Sequence, residues 1–323
     1  NIIILTVISY ISACNDTASA LIVLLSSSVA ASVFASASQG KFFAYQIYGC
    51  ICFIAAWFLH GTAVTADSVI SALIAMLNLY LPAFAVTICF GRKDITALSS
   101  AAYVTIANIF VLLLSMAKIK FYDKTDMYAQ LETLFNDIIG QYSDLISSNS
   151  SMLGISSVAL TQLMSTAKQV IIMMIPSMLI ASSMVCAYFV TAASRGLLGV
   201  YAPDKKPNIG YFSDFHMDGT LCKISLALLI IAIFSQNLYL SAGIYNFLAV
   251  AVFLYFADGL AIVNFAAVSR TNNRPLSLLI TAAVGVVAFT TVATLPMFNG
   301  MTILFLLGII DSGRDFRRTM KAR

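Results

Sequence analysis

Acid–base or metal chemistry would have to come from 14 acids and two histidines, and one acid is placed unlike the others. Asp258 lies in Tyr255-Phe256-Ala257-Asp258-Gly259-Leu260, near the middle of a long uncharged run. A charge at mid-depth of a membrane span costs at least about 2.5–3.5 kcal/mol, so such a residue usually marks function. Gly259 would allow a ligand or a second backbone to approach closely, and Asn264, six residues on, points to a different face. Two roles stay open for Asp258: binding a substrate or proton, or a hydrogen bond to a neighbouring helix. Asn78 (four residues before Pro82), Asn108, Gln169, Gln236 and Asn237 are the other polar residues in or near apolar runs. Lone amides of this kind commonly hold membrane helices together. The candidate substrate-binding set is therefore Asp258, Gly259, Asn264, Asn78 and Asn108.

A second string is distinctive: Gly308-Ile309-Ile310-Asp311-Ser312-Gly313-Arg314-Asp315-Phe316-Arg317-Arg318. Asp311 falls at the end of an apolar run, and charges of both signs then surround Phe316. The string reads either as a solvated stop-transfer tail or as a partner-docking site formed by Asp311, Arg314, Asp315, Phe316 and Arg317.

Familiar catalytic patterns are missing from the sequence. It has no GxxxxGK[ST] phosphate loop, no HExxH, no GxSxG and no intramembrane carboxylate pair of the aspartyl-protease kind. With only His60 and His216, a zinc or iron site has little to build with. Cys14, Cys50, Cys52, Cys89, Cys186 and Cys222 fall mostly inside apolar runs and read as small buried hydrophobes. Neither catalysis, a metal nor a cofactor is expected.

The elements that must position these residues follow from composition. The chain is 60% hydrophobic and 10% charged, against about 25% charged for a soluble domain, whose surface water must wet. Its mean hydropathy is +0.92. Lipid is the plentiful apolar solvent, so the fold class is all-α, a polytopic transmembrane helical bundle. Ten spans are legible: Ile2–Ala13, Ala18–Ala37, Phe42–Leu59, Val69–Phe90, Ile95–Ala117, Val170–Ala193, Ile224–Leu240, Ile244–Val268, Leu276–Leu295 and Met301–Ile310. The seventh and tenth are short, which leaves eight to ten. The domains read as a bundle over 1–117, a polar segment over 118–168 and a second bundle with a tail over 169–323. No charged leader or small-residue cleavage site is visible, so no cleaved signal peptide is expected.

Basic residues give orientation. One set of alternate loops and the tail hold 14 of the 18 Lys and Arg, and the other four, Lys118, Lys120, Lys124 and Lys168, flank the polar segment. By the positive-inside rule both termini are cytoplasmic and 118–168 is outside. Within that segment Leu131, Leu134, Phe135, Ile138, Ile139, Tyr142, Leu145 and Ile146 recur at helical spacing. With Ser156–Lys168 running into the sixth span, an amphipathic helical hairpin on the outer face is expected, either lying on the membrane or serving as a lid. The net charge of +4 is scattered through short loops, so no face could track nucleic acid.

Three stretches carry a resemblance: Ile175-Pro176-Ser177 through Ser194-Arg195-Gly196-Leu197-Leu198, then Asp258-Gly259-Leu260, then Gly308-Ile309-Ile310-Asp311-Ser312 with Asp315-Phe316-Arg317. Over Val170–Arg323 the chain resembles the YybS-like family, bacterial inner-membrane proteins with a domain of unknown function. That family is similar in fold to the substrate-binding membrane subunits of energy-coupling-factor vitamin transporters and to the rod-shape protein MreD. The resemblance implies a small-molecule transporter or a substrate-binding subunit whose partners hydrolyse ATP. Two alternatives stand beside it: a non-catalytic scaffold for an envelope complex, and a secondary transporter with inverted five-span repeats. Expected partners are the lipid bilayer, an unidentified small molecule, and membrane or cytoplasmic proteins.

Overall fold

The computed structural model describes residues 20–37, 41–59, 63–92, 95–126, 129–137, 140, 157–205, 207, 211–235, 237–291, 299–314 and 317. Lipid offers no hydrogen bonds, so each backbone N–H must pair within its own segment, and helices do this. In chain order they are α1 (Ala20–Ala37), α2 (Phe42–Leu59), α3 (Ala66–Phe90), α4 (Ala97–Ala117), α5 (Ser157–Tyr201), α6 (Gly219–Phe234), α7 (Leu238–Thr271), α8 (Arg274–Thr290) and α9 (Gly300–Arg314). Residues 129–137 are also helical, and the described residues contain no strand.

Side chains set the helix ends. Thr65 and Ser68 form a reciprocal box that caps α3, Thr96 accepts from Ser99 N–H to start α4, and Asn237 and Asn273 cap α7 and α8. The chain leaves α7 through Asn272 in the left-handed region, φ 48°, which asparagine tolerates.

The expected all-α membrane bundle is the fold observed. Four helices among the described residues are long and apolar enough to cross a bilayer: Ala66–Phe90, Ser99–Tyr122, Lys168–Tyr201 and Tyr239–Thr271. Leu25–Ala37, Phe43–Leu59, Gly219–Phe234 and Arg274–Thr290 are shorter apolar helices. The first expected span, Ile2–Ala13, lies outside the described residues. The seventh differs in register: α6 stops at Phe234, and α7 begins at Leu238, because Ser235 and Asn237 use their side chains on the backbone of the turn. The boundary drawn at 168/169 falls inside α5, which runs unbroken for 45 residues. Of the hairpin expected on the outer face, residues 129–137 are described and helical, while 141–156 lies outside the described residues. Lys168 Nζ bonds Glu132 and Asn136, each at 2.8 Å, and so fastens helix 129–137 against α5.

Polarity is arranged inside out. Leu59 and Tyr239 are 83% and 88% exposed, whereas Ser32, Ser194, Ser277, Asp258 and Asp311 are fully buried. Patches of exposed apolar surface this broad would drive a water-soluble protein to aggregate; a bilayer covers them. Two apolar cores hold the first half together. Phe53, Leu79 and Tyr80 join α2 and α3, and Val86, Val104, Val190 and Leu198 join α3, α4 and α5. In the second half α7 is the hub, packing most extensively on α9 and also on α8, α6 and α5.

Candidate functional site

Polar side chains from four helices face one cavity in the first half. Ser28 of α1, Asn78 and Pro82 of α3, Asn108 and Ser115 of α4, and Ser182, Ser183 and Cys186 of α5 line a space of about 180 Å³. Every one of them except Ser115 lies near the midpoint of its apolar helix. Pro82 has no N–H to give the Asn78 carbonyl four residues earlier, so α3 loses a rung there. The Asn78 side chain makes no hydrogen bond to a described residue, and both of its ends are available to a solute. Asn108 Nδ2 donates to the Ser183 carbonyl at 3.4 Å and keeps its oxygen free for the cavity. Ser28, Ser115 and Ser182 donate their hydroxyls to the carbonyls of Leu79, Val111 and Leu179 at 2.9–3.0 Å. They therefore face the space as acceptors. No charged side chain lies among the described lining residues.

A different arrangement surrounds Asp258. Its neighbour Gly259 and Gly308 of α9 let two backbones touch: a Cβ at Gly259 would run into the Leu304 carbonyl, and one at Gly308 into that of Tyr255. Small residues at such crossings let membrane helices approach closely. The contact brings Asp258 and Asp311 together, both 0% exposed. Two carboxylates buried side by side repel each other and call for a cation between them. Arg317 supplies the cation. Its Nη2 pairs with Asp258 and, at 3.0 Å, with Asp311, while Nη1 donates to the carbonyls of Ser213 and Phe215. Met217 N–H donates to Asp258 Oδ2 at 3.2 Å, and His216 Nδ1 lies 3.1 Å from Asp311 and 4.0 Å from Asp258. The segment before α6, the hub helix and the tail are thus fastened by one network.

His216, Asp258 and Asp311 each present a ligand atom within 4.8 Å of the others, close enough to share a cation. The Arg317 guanidinium pairs with both carboxylates, on the same Asp311 oxygen that faces His216, and would repel a divalent ion. The chain fills this place with its own positive charge.

Asn78 and Asn108, two of the five substrate-binding candidates, come together on the mid-membrane cavity. Asn264 lines a separate pocket and donates to Thr281 Oγ1 at 3.0 Å. Asp258 is buried in the ion-pair network, and Gly259 is occupied by helix packing. Of the docking candidates, Asp311 and Arg317 point inward, Arg314 is exposed, and Asp315 and Phe316 lie outside the described residues.

Three residues escaped sequence reasoning. His216 was set aside because histidines were few. Asn246 bridges α7 to α5: its Oδ1 accepts from Ser177 N–H at 3.0 Å and its Nδ2 donates to the Met173 carbonyl at 2.8 Å. Those two groups are partners in a regular helix, and Pro176 between them was the available signal. Tyr211 holds two arginines on its ring.

No curated protein and no solved structure matches the chain. Residues 46–312, from within α2 to within α9, match the model of a family described as "Predicted membrane protein (DUF2232)". That match takes in the cavity-lining amides and both acids of the buried network, and the chain belongs to this membrane-protein family.

Proposed function

We propose that this chain is the solute-binding membrane subunit of a transport system, taking a small, uncharged, polar molecule into the Asn78–Asn108 cavity. The observation that carries the reading is the convergence of two amides and four serines from four helices on one cavity, most of them at mid-helix. Transporters place their sites near the bilayer midplane, and Pro82 leaves the Asn78 carbonyl without its helical donor beside this cavity. A cavity of about 180 Å³ is below the usual 300–1,000 Å³ of drug-sized sites, so the solute is small. The absence of charge among the lining residues selects against ions. The role is non-catalytic, and a partner protein supplies the energy. The resemblance to the YybS-like group and, through it, to energy-coupling-factor subunits supports that division of labour. The orientation that accompanies the reading has both termini in the cytoplasm of an inner-membrane protein, with 118–168 outside.

A screen of small metabolites against purified protein tests the reading by thermal stabilisation. A hit should stabilise the wild type and lose about tenfold or more in affinity in Asn78→Leu and Asn108→Leu, which replace hydrogen-bonding amides by apolar groups. A hit that binds both variants as well as the wild type would remove the cavity from the account.

The buried Asp258–Asp311–Arg317 network favours a second reading, a scaffold, because it fastens the tail rather than lining a solute path. A photo-crosslinker at exposed Arg314 should then trap a stable protein partner in membranes. Its absence would leave transport alone.

A further inference from the structure

Arg195 of α5 and Arg274, the first residue of α8, lie with their guanidinium carbons 3.8 and 3.5 Å from the centre of the same Tyr211 ring. Two planar cations that close to one centroid cannot share a face, so they sandwich the ring. Cation–π attraction holds each guanidinium in place. It does not remove the repulsion between two like charges set on opposite faces of one ring. The same pair lines a cavity of about 230 Å³ between α5, α7 and α8. None of its described lining residues is acidic, and Ala192, Val268, Pro275 and Leu278 make much of the wall apolar. Asp214 is the acid that Arg195 feels among the described residues, and it is exposed and accepts from Tyr211 N–H at 2.8 Å. The cavity lies at the end of the bundle where Lys205 reaches the Ala37 carbonyl and the basic loops gather.

We infer that this pocket binds the phosphate-bearing head of an anionic amphiphile, with Arg195 and Arg274 clamping the phosphate at the edge of the Tyr211 ring and the apolar wall receiving the start of the acyl chains. Phosphate oxygens accept charge-assisted hydrogen bonds from guanidinium groups, and both arginines line this pocket. Basic pockets between membrane helices bind anionic lipid heads by this chemistry. The apolar wall distinguishes a lipid from free phosphate, which would gain nothing from it. The site shares no residue with the Asn78–Asn108 cavity, so either can fail without the other.

Native mass spectrometry of the full chain in detergent tests the assignment, with dioleoylphosphatidylglycerol, dioleoylphosphatidylcholine and inorganic phosphate as probes. The expected result is retention of phosphatidylglycerol in preference to phosphatidylcholine, falling about tenfold or more in Arg195→Gln and Arg274→Gln. Arg274→Lys should fall in between, because it keeps the charge and loses the fork. Arg195 is buried and its variant is liable to fold poorly; Arg274 is exposed, and its variant alone then decides. Equal retention of the two lipids would overturn the proposal, as would unchanged retention in Arg274→Gln. Phosphate that displaces the lipid at equal concentration would assign the pocket to free anions and overturn the amphiphile.

Discussion

Asp258 shows how much one side chain's role depends on its partner. Alone in an apolar run it invites a substrate; beside Arg317 it is one end of a fully buried ion pair. Removing one member of such a pair leaves an uncompensated charge and costs about 3–5 kcal/mol, whereas replacing both by apolar groups of similar volume is often neutral. Arg317→Met should therefore lower the thermal midpoint sharply, and Asp258→Asn should do so too. Adding Asp311→Leu and Asp258→Leu to Arg317→Met should recover most of the loss, read as thermal unfolding in detergent. A midpoint unchanged in Arg317→Met would mean that the network bears no weight. The sequence marked Asp258, Asp311 and Arg317 separately, as a substrate ligand and as docking residues. Fifty-nine residues separate Asp258 from Arg317, and no periodicity reports a pairing over that distance. The two amides were legible for a different reason: an amide in an apolar run is noticeable wherever it points, although only packing shows that Asn78 and Asn108 line the same cavity.

Helix contacts depend on small residues and on amides that mend broken rungs. Gly308→Ala places a methyl against the Tyr255 carbonyl, so α7 and α9 must part. Overpacking of this kind costs about 1–3 kcal/mol, and it should also weaken the pairing of Asp258 with Asp311. Thermal unfolding of Gly308→Ala alongside Gly313→Ala checks this, because nothing lies within 4 Å of a Cβ at Gly313. Equal midpoints for the two would refute the close crossing. At the Pro176 break, Asn246→Leu removes the amide that holds the Met173 carbonyl and the Ser177 N–H. Interhelical hydrogen bonds of this class average about 0.6 kcal/mol in membranes, so a small destabilisation is expected. Helix positions were readable from apolar runs because lipid imposes length and polarity together. The break between α6 and α7 was placed wrongly, because three polar residues, Ser235-Gln236-Asn237, do not say by themselves whether side chains end one helix and cap the next, as they do here.

Across the whole molecule the charged loops sort to two ends. Lys205 bonds the Ala37 carbonyl, and Arg317 reaches the segment before α6, gathering one set of basic loops. At the other end Lys118 pairs with Asp67 at 2.7 Å and Lys168 with Glu132 at 2.8 Å. Single cysteines at Lys41 and Lys205 should accordingly react with an impermeant thiol reagent from the same side of intact cells, and one at Lys124 from the opposite side. Labelling of Lys41→Cys and Lys205→Cys from opposite sides would dismantle the orientation. The alternation of basic loops was fully visible in the sequence because it is a count along the chain. The mid-membrane cavity was not visible, since it exists only between helices whose order in space the sequence leaves open.

Cys186 sits on the wall of that cavity and reports on it directly. With the other five cysteines replaced, a small water-soluble methanethiosulfonate reagent should modify Cys186 in membranes. A metabolite that stabilises the protein should slow that reaction about tenfold or more at saturating concentration. Modification only by an apolar, membrane-permeant maleimide, at a rate no stabilising metabolite changes, would contradict a solute site between Asn78 and Asn108.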